Sequence, residues 1–130
     1  MTDAELLVVL ARGRHVPIAM EIALKAMEGR QVWATGGSWA DLLHGPITAL
    51  PTRATVITLR AAEHAGDPTE RLRSSGHDVV DLAGAPLPDG LAHLQPLVDV
   101  VLGQTAVLAA ARRAGTDPDA PPGLTKVTQT

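Results

Sequence analysis

"LLVVLARGRHVPIAMEIALKAMEG", residues 6–29, decides the fold. Leu6 to Ala11 is a continuous apolar run, the pattern of a strand covered on both faces. "RGRH", residues 12–15, then reads as a loop, and Pro17 takes a first-turn position in a helix that Gly29 closes as C-terminal cap. Along that helix Ile18, Ile22 and Met27 fall near one stripe. Glu21, Lys25 and Glu28, at i, i+4 and i+7, share another.

The same alternation continues through the chain. "QVWA" (31–34) reads as a second strand, leaving "ATGGS" (34–38) as a glycine loop with accessible backbone N–H groups. "SWADLLH" is a short helix with Ser38 as N-cap. "ATVITL" (54–59) is rich in β-branched residues and reads as a third buried strand. A helix from about Asp67 and a fourth strand in "HDVVDLA" (77–83) follow. Residues 84–90 form a loop, and a long helix runs from about Pro96 to Ala114, stopped by Gly115. Strands alternating with helices predict a doubly wound parallel sheet, a three-layer αβα sandwich. Ligands on such sheets bind beyond the carboxyl ends of the strands, which puts Arg12 to His15 on the functional edge. We divide the chain into an α/β domain over 1–114 and an extended or irregular tail over 115–130.

Composition narrows the function. With 130 residues, 45% hydrophobic and 19% charged, one domain with a single core is expected. Aromatic residues make up 2%, Trp33 and Trp39 alone, so stacking surfaces for single-stranded nucleic acid are nearly absent. A net charge of −3 leaves no basic footprint for DNA or anionic lipid. The absence of cysteine excludes disulfides, thiolate zinc sites and thiol nucleophiles, and fits a reducing cytoplasm. "MTDAELLVVLARGR" carries acidic residues ahead of a short apolar run, unlike an export signal. The apolar stretch "PLVDVVLGQTAVLAAA" contains Asp99, Gly103 and Gln104, so we expect a buried helix and no membrane span. Leu97, Val98, Val101, Leu102, Val107 and Leu108 go nearly all the way round it. Such a helix is covered on more than one side, here by another chain or domain or by the tail folding back over it.

Few residues carry a chemical signal. No histidine pair has metal-ligand spacing, and no nucleophile elbow, P-loop or dinucleotide fingerprint is present; neither metal nor cofactor is called for. His15 lies near the expected site edge without a fixed role, and His64, His77 and His93 read as solvated loop residues. Glu21, Lys25 and Glu28 read, by periodicity, as a solvated ion-pair stripe. His44, before Gly45-Pro46, sits where a helix must end, either a loop accident or an acid–base at a pocket lip. Nine of the eleven basic residues are Arg, and the lysines are Lys25 and Lys126. Arg cannot form a Schiff base and Lys can, so Lys126 in an irregular tail is a candidate amine.

Taken together, "ARGRHVPIAMEIALKAME", "ADLLHGPI" and "GTDPDAPPGLTKVT" resemble successive signatures of the sugar isomerase (SIS) domain family. Within it they are most similar to the second SIS domain of the glutamine–fructose-6-phosphate aminotransferases and to the related glucosamine-6-phosphate deaminases. Three motifs in order span nearly the whole chain. The resemblance implies a hexose or hexosamine 6-phosphate ligand. It implies Glu28 as the group moving a proton between C1 and C2, Lys126 as the Schiff-base amine, and His44 as the ring-opening acid–base, entering a neighbouring subunit's site. It also implies Lys25 as a site-lining residue, to which Arg12 and Gly13 on the functional edge are added as substrate-binding candidates, and a C-terminal tail over 115–130 that folds across the active-site edge. The family's hydroxyl-rich phosphate loop, S-x-S-G-x-T, is replaced after the third strand by "RAAEHAGD". The resemblance therefore implies half of a site, completed by a phosphate-binding SIS partner or another copy. The alternatives are a non-catalytic sugar-phosphate-binding or assembly module, or a purely structural dimerisation domain.

Overall fold

A computed structural model describes residues 6–30, 32–51, 54–121 and 123. Four strands form one parallel sheet: β1 (Leu7–Ala11), β2 (Ala34–Ser38), β3 (Thr55–Leu59) and β4 (Asp78–Leu82), in the order β2-β1-β3-β4. The connecting helices are α1 (Val16–Arg30), α2 (Trp39–Leu43), α3 (Thr69–Ser74) and α4 (Gln95–Arg113). The predicted αβα sandwich is the observed fold.

β1 and β3 are buried along their whole length, as a central parallel pair must be. Their alternate side chains feed two cores. Leu7, Val9, Ile57 and Leu59 meet Ile22 of α1 and Val107 of α4 on one face. Val8, Leu10 and Val56 meet Trp39 of α2 and Leu72 of α3 on the other. The two helices on the first face run side by side in the same direction, with Asp99 near His15 and Gly103 against Ile22. Both start at the carboxyl edge of the sheet and end at its amino edge.

Three expectations change. The second strand is Ala34–Ser38, so "ATGGS" is β2 and no phosphate-cradling loop; Gly36 and Gly37 pair with Val9 and Leu10. Gly36 is required because α1 lies directly on the strand there. A Cβ built at Gly36 would stand 2.4 Å from the Ala19 carbonyl oxygen. Secondly, α1 continues through Gly29 to Arg30, with Gly29 buried and facing Pro118, so Gly29 acts as a packing residue. Thirdly, α4 buries one stripe only: Gln95, Asp99, Gly103, Val107 and Ala111. That stripe includes the polar Gln95 and Asp99, while Leu97 and Val101 remain 61% and 60% exposed. Residues 89–113 have the length and hydropathy of a membrane span. Asp99 and Gln95 are nevertheless consumed in contacts with the sheet-end loops, which is how a core helix behaves. Ser38 occupies the N-cap position of α2 but makes no side-chain cap bond.

Gly36→Ala should lower stability by about 1–3 kcal/mol, the usual cost of forcing volume into a packed contact. Urea unfolding would show it as a lower midpoint at unchanged slope.

Candidate functional site

The crossover helix α1 packs on the first face and α3 on the second, so the loops after β1 and β3 diverge and open a crevice at the carboxyl edge. Its volume is about 530 Å³. Arg12, Gly13, Arg14 and His15 form one side, Arg60, Glu63 and His64 another, and Pro86, Leu87, Ala92 and Gln95 close it. Arg12 bridges the two diverging loops, donating to the Ala65 carbonyl at 3.0 Å.

Beneath the crevice lies a buried polar network centred on Asp99, whose carboxylate is fully enclosed. It accepts from His15 Nε2 at 3.1 Å, Arg60 at 3.2 Å, the Gly84 amide at 3.0 Å and Gln95 at 3.4 Å. Arg60 is 4% exposed and sits in the left-handed region at φ 53°, uncommon for a residue other than glycine. Both of its faces are held: the guanidinium also donates to both Glu63 carboxylate oxygens and to the Gly84 carbonyl at 3.0 Å. These charge-assisted bonds offset a backbone cost of about 1–2 kcal/mol. Burial pushes the His15 pKa below its ordinary value, partly opposed by the Asp99 carboxylate beside it.

The site residues expected from sequence fall in three places. Arg12 and Gly13 border the crevice. Lys25 and Glu28 lie on the last turns of α1, about 20 Å along the helix from Gly13. Those two do meet, Lys25 Nζ donating to Glu28 at 2.8 Å, with Glu21 at 4.0 Å. The hydrogen bond to Glu28 raises the Lys25 pKa, keeping that amine protonated. His44 ends α2 in the opposite helical layer and is exposed. One copy thus joins Lys25 to Glu28 but brings neither His44 nor Arg12 to them. Lys126 lies outside the described residues.

The crevice residues that sequence reasoning missed are Asp99, Arg60 and Glu63, with His15 left unassigned. One signal was available: Asp99 is the single carboxylate in an otherwise apolar helix. His77 also departs from the solvated reading, since it is buried and accepts the Ala54 amide at 3.3 Å. His64 meets the edge of the Trp39 ring at a centroid distance of 5.5 Å. His93 is exposed as expected. Among the described residues no group of histidines and carboxylates could hold a metal ion.

No family model matches the chain. Individual proteins do. Over 134 residues it is 31% identical to the glutamine–fructose-6-phosphate aminotransferase of Thermosynechococcus vestitus, covering 90% of this chain and 21% of that one. The Mycobacterium leprae enzyme of the same name is 30% identical over 141 residues, covering 91% and 23%. The chain belongs to the SIS domain family. Solved structures agree on the fold. The Thermotoga maritima glucosamine-6-phosphate deaminase superposes with a TM-score of 0.73 at 21% identity, over 95% of this chain and 40% of that one. The C-terminal domain of the Francisella tularensis aminotransferase gives 0.71 at 21% identity, over 88% and 38%. This SIS domain spans about a fifth of the length of the curated relatives it matches. In place of a hydroxyl-rich loop after β3 it has Arg60, tied down by Glu63 and Asp99.

Asp99→Ala would strand Arg60 and His15 in a buried setting and should cost about 3–5 kcal/mol. The His15 shift has a defined sign. The unfolded chain takes up a proton near pH 6.5 that the folded chain resists, so stability present above that pH is lost as pH falls through it. Thermal melts from pH 7.5 to 5.5 should show the decline, and His15→Gln should flatten it.

Proposed function

We propose that this SIS domain is the acid–base half of a phosphosugar isomerase-type site acting on a hexose or hexosamine 6-phosphate. The carrying observation is the sequence match over 90% of the chain, which includes the α1 helix bearing the Lys25–Glu28 pair at its exposed end. Glu28 is the group that moves the proton between C1 and C2, a task for a carboxylate beside the substrate carbons. Lys25 stands within hydrogen-bond reach to balance its charge through the transfer. Lys126 is the amine that engages the C2 carbonyl, and a tail leaving α4 past Gly29 supports its approach to Glu28. His44, on the opposite layer, opens the sugar ring in the site of a second copy.

The phosphate cradle comes from a partner SIS domain or another copy. Two surfaces support such a partner: the exposed Leu97 and Val101 of α4, and a groove of about 610 Å³ between α4 and β4. Val80 is 52% exposed in that groove, although a parallel sheet is ordinarily covered on both faces. The cytoplasm is the setting that this reading implies. The rival is a sugar-phosphate-binding or assembly module without turnover, favoured by the missing hydroxyl loop after β3.

Joining this chain to the part of the Thermosynechococcus vestitus relative that it leaves uncovered would complete the site. In that chimera, exchange of the C1 or C2 hydrogen of fructose 6-phosphate with D2O should appear. Glu28→Gln should reduce it by about 10²–10⁴-fold, and Lys126→Arg should abolish borohydride trapping of the ketose. Full exchange activity in the Glu28→Gln chimera would refute the acid–base assignment, and its absence in the parent chimera would favour the binding module. The chain alone should sediment at micromolar concentration as a dimer or larger; a monomer would locate the partner in another domain.

A further inference from the structure

Among the described residues three buried side-chain polar atoms have no hydrogen-bond partner: Arg30 Nε, Thr55 Oγ1 and Thr69 Oγ1. Two of the three belong to residues that line one space, the groove of about 610 Å³ between α4 and β4. Buried polar groups are nearly always paired, so two orphans in one groove point to a missing acceptor.

The groove has a polar end and an apolar length. Thr55, 4% exposed, opens β3 at the amino edge, and its side chain shares a face of the strand with Ile57. Arg30 and Arg113 close α1 and α4 at the same edge. Neither arginine has an ion pair or a side-chain hydrogen bond among the described residues, whereas Asp78, beside Thr55 in β4, has contacts of its own. Further along, the floor is Ile57, Val80 and Leu82. The α4 wall is made of Ala106, Ala109, Ala110 and Ala114, whose short side chains leave the space open.

We propose that this groove binds a small amphipathic anion, whose carboxylate or phosphate head is held by Arg30, Arg113 and the Thr55 hydroxyl and whose apolar body lies along Ile57, Val80 and Leu82. Arg30 Nε and the hydroxyl can both donate, so one oxyanion satisfies both, and a second guanidinium adds its charge. A wholly apolar occupant would leave them unpaired. The volume is that of a small-molecule site. The four strand steps from Thr55 to the level of Leu82 cover about 13 Å, room for a medium-length acyl or aryl body. Neither Lys25 nor Glu28 lines the groove, so this site is separate from the isomerase reading. Its ligand leaves the exposed Leu97 and Val101 to a partner chain.

The full chain, titrated at low salt with octanoate, octyl phosphate and octanol, provides the test. At least one of the two anions should bind saturably by calorimetry, with amide shifts at residues 55–57, 80–82 and 106–114. Octanol, with the same body and no charge, should bind about tenfold more weakly. The tighter of the two anions tells a carboxylate ligand from a phosphate one. Arg113→Gln should weaken anion binding about tenfold with the melting temperature unchanged, because Arg113 is exposed. Thr55→Val should also weaken it yet raise the melting temperature, since an unpaired buried hydroxyl is removed. Ala110→Leu, which fills the groove, should abolish it. The site is refuted if neither anion saturates below about 10 mM, or if octanol binds as tightly as they do, the mark of a plain apolar surface. Binding that survives both Arg113→Gln and Thr55→Val refutes it as well. So would shifts of the same amides on dilution of the chain alone, because the occupant would then be a second copy.

Discussion

The Asp99 carboxylate ties together three parts of the chain that are far apart in sequence. It holds the loop after β1 through His15, the end of β3 through Arg60, and the segment after β4 through the Gly84 amide. These are the loops of the carboxyl edge, and α4 reaches them through one side chain. A charge so enclosed is tolerable only when every lone pair is occupied, and here donors arrive from four residues. The direction of α4, and with it the parallel packing of α4 on α1, follows from that anchor at one end. Gly103 permits it further along, where a Cβ would stand 2.2 Å from the Ile22 side chain.

That arrangement separates two chemistries along a single helix. α1 begins at the crevice among arginines and a buried histidine, and ends with Lys25 and Glu28 in partial contact with solvent. The first end is rigid, held by side chains that are nearly all buried. The second is open, and its Lys25–Glu28 ion pair stands half in solvent.

Much of this was legible in the sequence, for identifiable reasons. β1 and β3 announce themselves as unbroken apolar runs because both of their faces are covered. α1 shows its limits through Pro17, and α4 ends where Gly115 takes a positive φ. β2 was misplaced because Gly36 and Gly37 look like a loop when side-chain pattern is the only guide. Gly36 makes room for the backbone of α1, a tertiary demand that no local propensity encodes. The same limit hid the crevice. Asp99 and Arg60 stand 39 positions apart, and only the fold makes them neighbours. Spacing made the ion pairing of Lys25 with Glu28 and Glu21 legible, whereas it said nothing of where His44 stands relative to them.

Among the described residues β4 is the last strand of the sheet, with no strand on its far side. It is short, and it carries Asp78 and Asp81 among its valines. Arg73 of α3 donates to the Val79 carbonyl at 3.2 Å. Charges and a capped carbonyl are how natural sheets discourage an edge from recruiting further strands. The terminal strand is therefore guarded against fibrillar growth even though Val80 is left uncovered, and the domain can keep an apolar face open for assembly without inviting aggregation along its edge.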